Sequence, residues 1–255
     1  MHHNHSPNRI LVEACVDTLA SAMAAQSGGA SRVELCHALS EGGLTPSAGI
    51  IAKARALITI DLFVMIRPRT GNFVYSDDDF SSMLLDIATA KQLGADGIVS
   101  GVLNTDYSVD VSRTTQLVEA ARPLPVTFHR AFDLTPDPLN ALEDIVNCGC
   151  TRILTSGQQT TATEGKELIL KLVQQAATRI IIMPGCGVNE QNVRSLIKAT
   201  MAGEVHLSGR KQLTPMQNNI RTMIGETSFQ KMFETDSVVI SRVLQEANSI
   251  IQGNN

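Results

Sequence analysis

A regular spacing of short apolar runs constrains the fold of this 255-residue chain more than any other feature. Eight such runs, rich in β-branched residues, recur about every 28 residues, and segments with helical periodicity lie between them. Short strands that alternate with helices are typical of parallel βαβ units. Eight units in about 200 residues predict a (β/α)8 barrel, the TIM-barrel fold. The predicted strands are residues 10–14, 32–35, 62–66, 97–100, 126–128, 152–154, 180–183 and 205–207.

A repeated glycine motif supports the same fold. Gly29, Gly94 and Gly149 each open a similar five-residue segment, and these segments lead into the second, fourth and sixth runs. A glycine at a helix end can adopt positive φ and turn the chain directly into the next strand. A doubly wound open sheet is the main alternative. It fits eight evenly spaced units less well, and no Gly-x-Gly-x-x-Gly motif follows the first strand.

The repeat also predicts the domain organisation. We expect one domain over residues 10–255, preceded by a flexible tail over residues 1–9. After the eighth strand, residues 209–236 are predicted to form a long loop, and a terminal helix is predicted over 237–251. Loops of this length are uncommon unless they are functional or disordered. A lid, a subunit contact and a mobile loop are therefore all open interpretations.

The charge balance excludes several classes of protein. The chain has 21 basic and 25 acidic residues, for a net charge of −4. A protein that binds nucleic acid or a membrane surface needs a basic face, so neither partner is expected. No window reaches the roughly 18 consecutive apolar residues of a membrane span, and the first residues do not resemble a secretory signal. We therefore expect a cytoplasmic protein whose five cysteines are reduced.

Polar side chains follow several predicted strands at their carboxyl ends, where TIM barrels place their functional sites. They are Glu13, Glu34, Arg67, His129 and Arg130. One interpretation is a buried charge network, in which the two glutamates pair with the two arginines and only fix the geometry. The other is a functional site, because bulky branched apolar residues usually fill a barrel interior.

The same residues suit acid–base chemistry on an anion. Arginine binds carboxylate or phosphate through two parallel hydrogen bonds, while Glu and His can transfer protons. Backbone N–H groups at later strand ends often hold phosphate, and the candidates for such a site are Ser156, Gly157, Gly185, Gly187 and Ser208. This interpretation predicts an enzyme of the lyase, aldolase or isomerase type. Its substrate would be a small anionic metabolite, with or without a phosphate group.

Two thiols suggest a different chemistry. The first two predicted strands end in Glu13-Ala14-Cys15 and Glu34-Leu35-Cys36. Because side chains alternate along a strand, each cysteine shares a face with its glutamate, and we expect the two pairs to lie side by side. Thiolates prefer soft ions such as Cu(I), so Cys15 and Cys36 are candidate ligands of one copper ion. The alternative is that both are small buried apolar residues.

Seven motifs together closely resemble the CutC copper-homeostasis family, and the match extends over nearly all of residues 10–208. The motifs are EACVD (13–17), GASRVELC (29–36), SEGGLTPS (40–47), MIRPR (65–69), YSD (75–77), PVTFHRAFD (125–133) and LTSG (154–157). The resemblance implies a TIM barrel, a cytoplasmic location and self-association, which we expect to give a homodimer or homotetramer. It also implies Cu(I) binding, with Cys15 and Cys36 as ligands. The chain departs from the family pattern after residue 208, so no role is carried over to the following loop.

Overall fold

The computed structural model describes residues 9–213 and 232–252, and it contains eight parallel strands that alternate with helices. The predicted TIM barrel is thereby confirmed. The barrel strands are β1 (Leu11–Val16), β2 (Arg32–Leu35), β3 (Asp61–Met65), β4 (Gly97–Ser100), β5 (Val126–Phe128), β6 (Arg152–Thr155), β7 (Ile181–Pro184) and β8 (Glu204–Leu207). The helices are α1 (Leu19–Ser27), α2 (Ala48–Leu57), α3 (Asp77–Gln92), α4 (Val111–Ala121), α5 (Pro138–Asn147), α6 (Lys166–Ala176), α7 (Val193–Thr200) and α8 (Ser237–Gln252). Residues 1–8 of the predicted tail lie outside the described ranges.

Hydrogen bonds join the barrel strands in the order β7-β6-β5-β4-β3-β2-β1-β8. Since all the pairs are parallel, the carboxyl ends of the strands meet at one rim, which we call the mouth. Alternate side chains point outward to the helices or inward to the barrel interior. The mouth and the interior therefore collect side chains from segments that are far apart in the sequence.

Local sequence signals explain where the helices begin. The Thr18 hydroxyl caps α1 by accepting a hydrogen bond from the Ser21 N–H. Ser76 and Asp79 form a reciprocal capping box at the start of α3. Such caps satisfy backbone N–H groups that lack a partner within the helix. They also fix the point at which each loop at the mouth ends.

The main apolar core lies between the strands and the surrounding helices. Outward-facing strand residues such as Val12, Val33, Leu62 and Ile98 are completely buried there. The barrel interior is different, because much of it is charged. Inward positions include buried acidic and basic side chains, namely Glu13, Arg32, Glu34, Arg152, Glu204 and His206. Polar groups buried at this depth have to be paired within the protein.

The two ends of the predicted loop 209–236 form two short strands. These strands, β9 (Arg210–Leu213) and β10 (Met232–Thr235), pair in antiparallel orientation, which the sequence did not predict. The Thr235 N–H donates to the Ser21 hydroxyl of α1, at 3.1 Å, which fastens β10 to the barrel. Neither strand is rich in β-branched residues, so the pairing has little local signal. The intervening residues 214–231 lie outside the described ranges, and the lid and subunit-contact hypotheses fall largely on them.

None of the helices in the described ranges combines the length and the apolar composition that a bilayer span requires.

Gly97 provides a test of packing inside the barrel. An added Cβ would lie 2.4 Å from ring atoms of Phe63. Phe63 is buried, and the carbon of the Arg32 guanidinium lies 4.8 Å from the centre of its ring, so the ring has little room to move. We therefore expect Gly97→Ala to lower the free energy of unfolding by about 1–3 kcal/mol in urea denaturation. Gly203→Ala is the matched control, since no atom lies within 4 Å of its Cβ position. Equal stability of the two variants would contradict the described packing.

Candidate functional site

A cavity of about 580 Å³ opens at the mouth of the barrel. This is the face on which TIM-barrel proteins place their sites. Eight of the residues predicted for the site line the cavity, and they are Cys15, Glu34, Cys36, Arg67, His129, Arg130, Gly187 and Ser208. Glu13, Ser156, Gly157 and Gly185 are not among its lining residues. The cavity also includes His206, which the sequence reasoning left out of the site.

The register between β1 and β2 corrects the expected arrangement of the two Glu-x-Cys pairs. Cys15 lies opposite Glu34, and Glu13 lies opposite Arg32, so the two motifs are offset by one inward position. Strands in a closed barrel tilt and are staggered relative to one another, which produces such an offset. As a result, Cys15 faces a carboxylate on the neighbouring strand rather than the second thiol.

Three potential metal ligands converge at the mouth. One ligand atom each from Cys15, Glu34 and His206 lies within 4.8 Å of the other two. The three side chains come from the neighbouring strands β1, β2 and β8, which explains why the sequence separates them widely. His206 occupies an inward position of β8, two residues after Glu204, and this alternation is the signal that could have identified it.

Glu13 holds the His206 ring in place. The His206 Nδ1 lies 2.8 Å from the Glu13 carboxylate, and the Nε2 lies 3.4 Å from Glu34. Once Nε2 gives up its proton, its lone pair faces the group formed by Cys15 and Glu34, while the Nδ1 proton stays directed at Glu13. A carboxylate that orients a histidine in this way is the usual outer partner of a metal-binding imidazole.

A buried ion network supports Glu13 from below. Arg32 donates to both Glu13 and Glu204, and Arg152 donates to Glu204 through two nitrogens at 2.7 and 3.0 Å. These partners differ from the expected pairing of Glu13 and Glu34 with Arg67 and Arg130. The sequence reasoning missed Arg32, Arg152 and Glu204, although all three stand at inward strand positions. Since each charge is buried, removing one partner would leave another uncompensated.

The network shifts the pKa values of the acids around the site in opposite directions. Burial opposes the ionisation of Glu13, but Arg32 and the hydrogen bond to His206 outweigh burial and hold its pKa well below the usual range. Burial raises the pKa of Glu34 to about 7, because the charges of His206 and Arg32 offset burial only in part and the charge of Glu13 adds to it. For His206 itself, burial lowers the pKa, yet Cys15, Glu34 and Glu13 together raise it well above its usual value.

Cys36 lies on the apolar side of the mouth. It packs in a small buried cluster with Phe63, Met65 and Val99. Burial, reinforced by the charge of Glu34, raises the pKa of the Cys36 thiol well above its usual value. Cys36 is not one of the three residues whose ligand atoms converge. Its surroundings thus resemble those of a small buried apolar residue, although it lines the same cavity as Cys15.

Arg67 and His129 also line the cavity, and they follow β3 and β5 rather than the three strands that carry Cys15, Glu34 and His206. Arg67 is buried, and its guanidinium donates to the backbone carbonyls of Glu41, Gly43 and Gly71 at 2.9 to 3.0 Å. Burial, with the positive charge of Arg67, lowers the pKa of His129 to about 3. His129 is therefore neutral at physiological pH.

The predicted anion site at Ser156 and Gly157 is filled by the protein itself. The Asp133 carboxylate accepts hydrogen bonds from the backbone N–H of Ser156 and from that of Gln158. Arg130 pairs with the same carboxylate at 2.8 Å. Asp133 thus occupies the position expected for a ligand anion, and the sequence reasoning did not foresee its role.

The other residues predicted to bind an anion through their backbone N–H groups either form hydrogen bonds within the protein or only line the cavity. The Gly157 N–H donates to the Thr155 hydroxyl, and the Gly185 N–H donates to the Thr155 carbonyl. Gly187 and Ser208 stand at the rim of the cavity. The thiol sulfur of Cys186, next to Gly187, lies 3.1 Å from the Thr160 carbonyl oxygen. Among the described residues, the backbone N–H groups of Ser156, Gly157 and Gly185 are therefore already engaged within the protein.

The buried neutral His129 predicts an acid-dependent loss of stability. Its pKa is about 3 in the folded protein and about 6.5 in an unfolded chain, so the unfolded state binds a proton first as the pH falls. Stability should therefore decrease between about pH 6.5 and 3, and this one residue accounts for about 2 kcal/mol at pH 5. His129→Gln should shrink the difference between urea unfolding free energies at pH 7 and pH 5 by that amount. The exposed His37 provides the control substitution, and an unchanged difference in His129→Gln would contradict a buried neutral ring.

Comparison with known proteins places the chain among close relatives. A model of the CutC family matches residues 10–211. A CutC family protein from Glaesserella parasuis is 48% identical over 219 residues, which cover 86% of this chain and 90% of the relative. The human copper homeostasis protein cutC homolog is 47% identical over 203 residues, covering 80% of this chain and 74% of the relative.

Solved structures give the same result. The crystal structure of a CutC protein from Streptococcus agalactiae matches with a TM-score of 0.75 and 37% identity, covering 78% of this chain and 98% of that chain. Phosphoribosylanthranilate isomerase from Thermotoga maritima matches with a TM-score of 0.57 at 12% identity, covering 94% of this chain and 99% of that chain. The second similarity shows a shared fold and nothing about chemistry.

Proposed function

The chain belongs to the CutC family, and we propose that it binds Cu(I) as cargo at the mouth of the barrel, with Cys15 and His206 as its ligands. One observation carries this proposal. The ligand atoms of Cys15, His206 and Glu34 lie within 4.8 Å of one another, so one ion can contact all three. The human relative is named for copper homeostasis, which agrees with this chemistry.

The donor set fits Cu(I) through its softer members. A thiolate is the preferred ligand of Cu(I), and an imidazole suits copper as well, whereas a carboxylate suits harder ions. Cys15 and His206 therefore supply the main bonds in this proposal, and Glu34 stands beside them. The Glu13 carboxylate keeps the His206 Nε2 turned toward the ion. Glu13 thus acts as a positioning residue rather than as a ligand or a catalytic group.

Cys36 stays a predicted ligand. Its thiol lines the same cavity as Cys15 but lies outside the converging group. It packs beside Met65, whose thioether is also a soft donor. A copper ion bound by both thiols would need Cys36 to ionise in apolar surroundings, which burial opposes. We therefore assign Cys36 the smaller contribution to binding.

The expected cytoplasmic location and the homodimer or homotetramer stay predictions, as does the absence of nucleic-acid and membrane partners. Family membership is compatible with each of them. None of them is needed for the copper proposal, because all three converging residues belong to one chain.

The alternative is an enzyme of the lyase, aldolase or isomerase type that acts on a small anionic metabolite. Two observations favour it over a barrel that only binds metal. The cavity of about 580 Å³ exceeds what a single ion needs. Its wall also contains Arg67, a buried cation bonded to backbone carbonyls. In this alternative Glu13, Glu34 and His129 would serve proton transfer, while Arg67 and Arg130 would hold the anion.

Anaerobic Cu(I) titration against a competing chromophoric chelator tests the main proposal. We expect Cys15→Ser and His206→Asn each to weaken Cu(I) binding by at least about 100-fold, since even outer partners of a ligand typically contribute about 10–100-fold. Asn can keep the contact to Glu13 while it removes the Nε2 donor. Cys36→Ser should cause a smaller loss than Cys15→Ser.

Cys186→Ser is the matched control for this titration, because Cys186 lines the same cavity but its thiol lies beside the Thr160 carbonyl. Its affinity for Cu(I) should equal that of the unsubstituted protein. Thermal denaturation of each variant establishes that it is folded. Undiminished Cu(I) affinity in folded Cys15→Ser would refute the proposal.

A substitution of Glu34 can show whether the site prefers Cu(I) or Zn(II). Zinc is a competing ion here, because Zn(II) also binds to three protein ligands of the Cys, His and Glu types with one position left open. Glu34→Gln preserves the shape of the side chain but removes its charge. We expect it to weaken Zn(II) binding by about tenfold or more and Cu(I) binding by less than about threefold, because a hard carboxylate contributes less to the softer ion. Parallel titrations with the two metals measure the contrast. A larger loss for Cu(I) than for Zn(II) would contradict the assignment of Cys15 and His206 as the main ligands.

A further inference from the structure

Three unpaired polar atoms belong to side chains outside the group formed by Cys15, Glu34 and His206, which we call the thiol site. Among the described residues, five buried side-chain nitrogen or oxygen atoms have no hydrogen-bond partner. Three of them belong to Arg67 (Nε), His129 (Nε2) and Tyr75 (the hydroxyl). The positive charge of Arg67 acts on both of the other groups, so the three lie together. Buried polar groups are rarely left unpaired, and a cluster of them calls for an explanation.

The charge of Arg67 is the first part of that explanation. Its guanidinium contacts three backbone carbonyls, and in the part of the chain that the structure describes it forms no ion pair with a carboxylate. The side chain is 5% exposed. A buried cation without a counter-charge is costly, because neutral carbonyls replace only part of its hydration. The Nε–H has no partner with hydrogen-bond geometry among the described residues, although the Tyr75 hydroxyl lies close enough to interact with the guanidinium.

His129 presents a second donor. Its Nδ1 accepts a hydrogen bond from the Ala131 N–H at 3.2 Å, which assigns the ring proton to Nε2. Gly101 leaves room for this ring, since an added Cβ there would lie 2.7 Å from its Nδ1 and Cε1 atoms. The ring orientation is therefore set by its surroundings, and the Nε2–H has no acceptor.

Phe73 connects the two donors with the cavity. Its ring centroid lies 4.7 Å from that of His129, and the Arg67 guanidinium carbon lies 5.0 Å from the same ring. All three residues line the cavity. Phe73 belongs to the loop between β3 and α3 and is only partly buried. Because the two donor atoms are themselves covered, a ligand that reaches them has to move this ring.

We propose that Arg67 and His129 form a binding subsite for the carboxylate group of a small metabolite, in the same cavity as the thiol site but distinct from it. Two N–H donors match the two oxygens of one carboxylate. A single uncompensated positive charge is balanced by a carboxylate, whereas a phosphate dianion would leave an excess negative charge. The rest of the metabolite would occupy the cavity. This inference goes beyond copper binding and does not depend on it.

Isothermal titration calorimetry and thermal denaturation of the chelator-treated protein test the subsite. The probes are acetate, succinate and citrate, with inorganic phosphate as a second oxyanion and chloride at matched ionic strength as the blank. A ligand that binds only the folded state raises the melting temperature. We expect at least one carboxylate to bind more tightly than phosphate and to raise the melting temperature of the unsubstituted protein and of Cys15→Ser alike.

Two isosteric variants of His129 make the test specific. His129→Gln places an amide near the position of Nε2, whereas His129→Asn reaches only the position of Nδ1 and keeps the acceptor for Ala131. We expect the affinity for the carboxylate to stay within about threefold of the unsubstituted protein in His129→Gln. In His129→Asn and in Arg67→Gln it should weaken about tenfold or more, because each variant loses a hydrogen bond to a charged group. Lys53→Gln, at an exposed position of α2, removes the same charge and should bind normally.

Three results would overturn the proposal. The first is that none of the carboxylate probes binds. The second is that folded His129→Gln and His129→Asn bind the carboxylate equally well, and the third is that Lys53→Gln loses as much affinity as Arg67→Gln. Tighter binding of phosphate than of any carboxylate would overturn the assigned ligand class. Because copper is absent and Cys15→Ser is included, failure of this subsite is distinguishable from failure of the copper proposal.

Discussion

The buried ion network in the barrel interior is the interaction on which the rest of the mouth depends. Arg32 lies between Glu13 and Glu204, and Arg152 secures Glu204 from the other side. Two acids and two guanidiniums balance one another in the buried interior, which makes each of them costly to remove alone. The upper end of this network is Glu13, and Glu13 orients His206. The geometry of the candidate copper site is thus inherited from charges beneath it.

The network also divides the interior into two chemically different sides. Strands β6, β8, β1 and β2 contribute the charged groups, while Phe63 and Met65 of β3 pack with Val99 of β4 in an apolar cluster. Cys15 belongs to the charged side and Cys36 to the apolar side. Two thiols that look equivalent in the sequence therefore have different surroundings, and only Cys15 has an imidazole and a carboxylate within reach. Farther around the barrel, Arg67 and His129 form a separate polar group beneath Phe73.

Much of the fold was predictable because its signals are local. Strands β2, β4 and β5 have the predicted bounds, and the other predicted strands differ by one or two residues. Alternating apolar residues, helix caps and glycine turns act over a few positions, so each can be recognised without tertiary information. The exceptions are β9 and β10, whose pairing joins segments separated by residues 214–231 and which carry few β-branched residues.

The sequence alone predicted the barrel, the rim on which a site would lie, and eight of the residues that line the cavity. Only the tertiary structure decided which of those residues are partners. Glu13 pairs with Arg32 and His206 rather than with Arg67 or Arg130, Cys15 faces Glu34, and Asp133 fills the expected anion site. The physical reason is that the succession of strands along the chain and the alternation of side chains along each strand can be recognised locally in the sequence. The stagger between strands and the reach of long side chains across the interior arise only when the barrel closes.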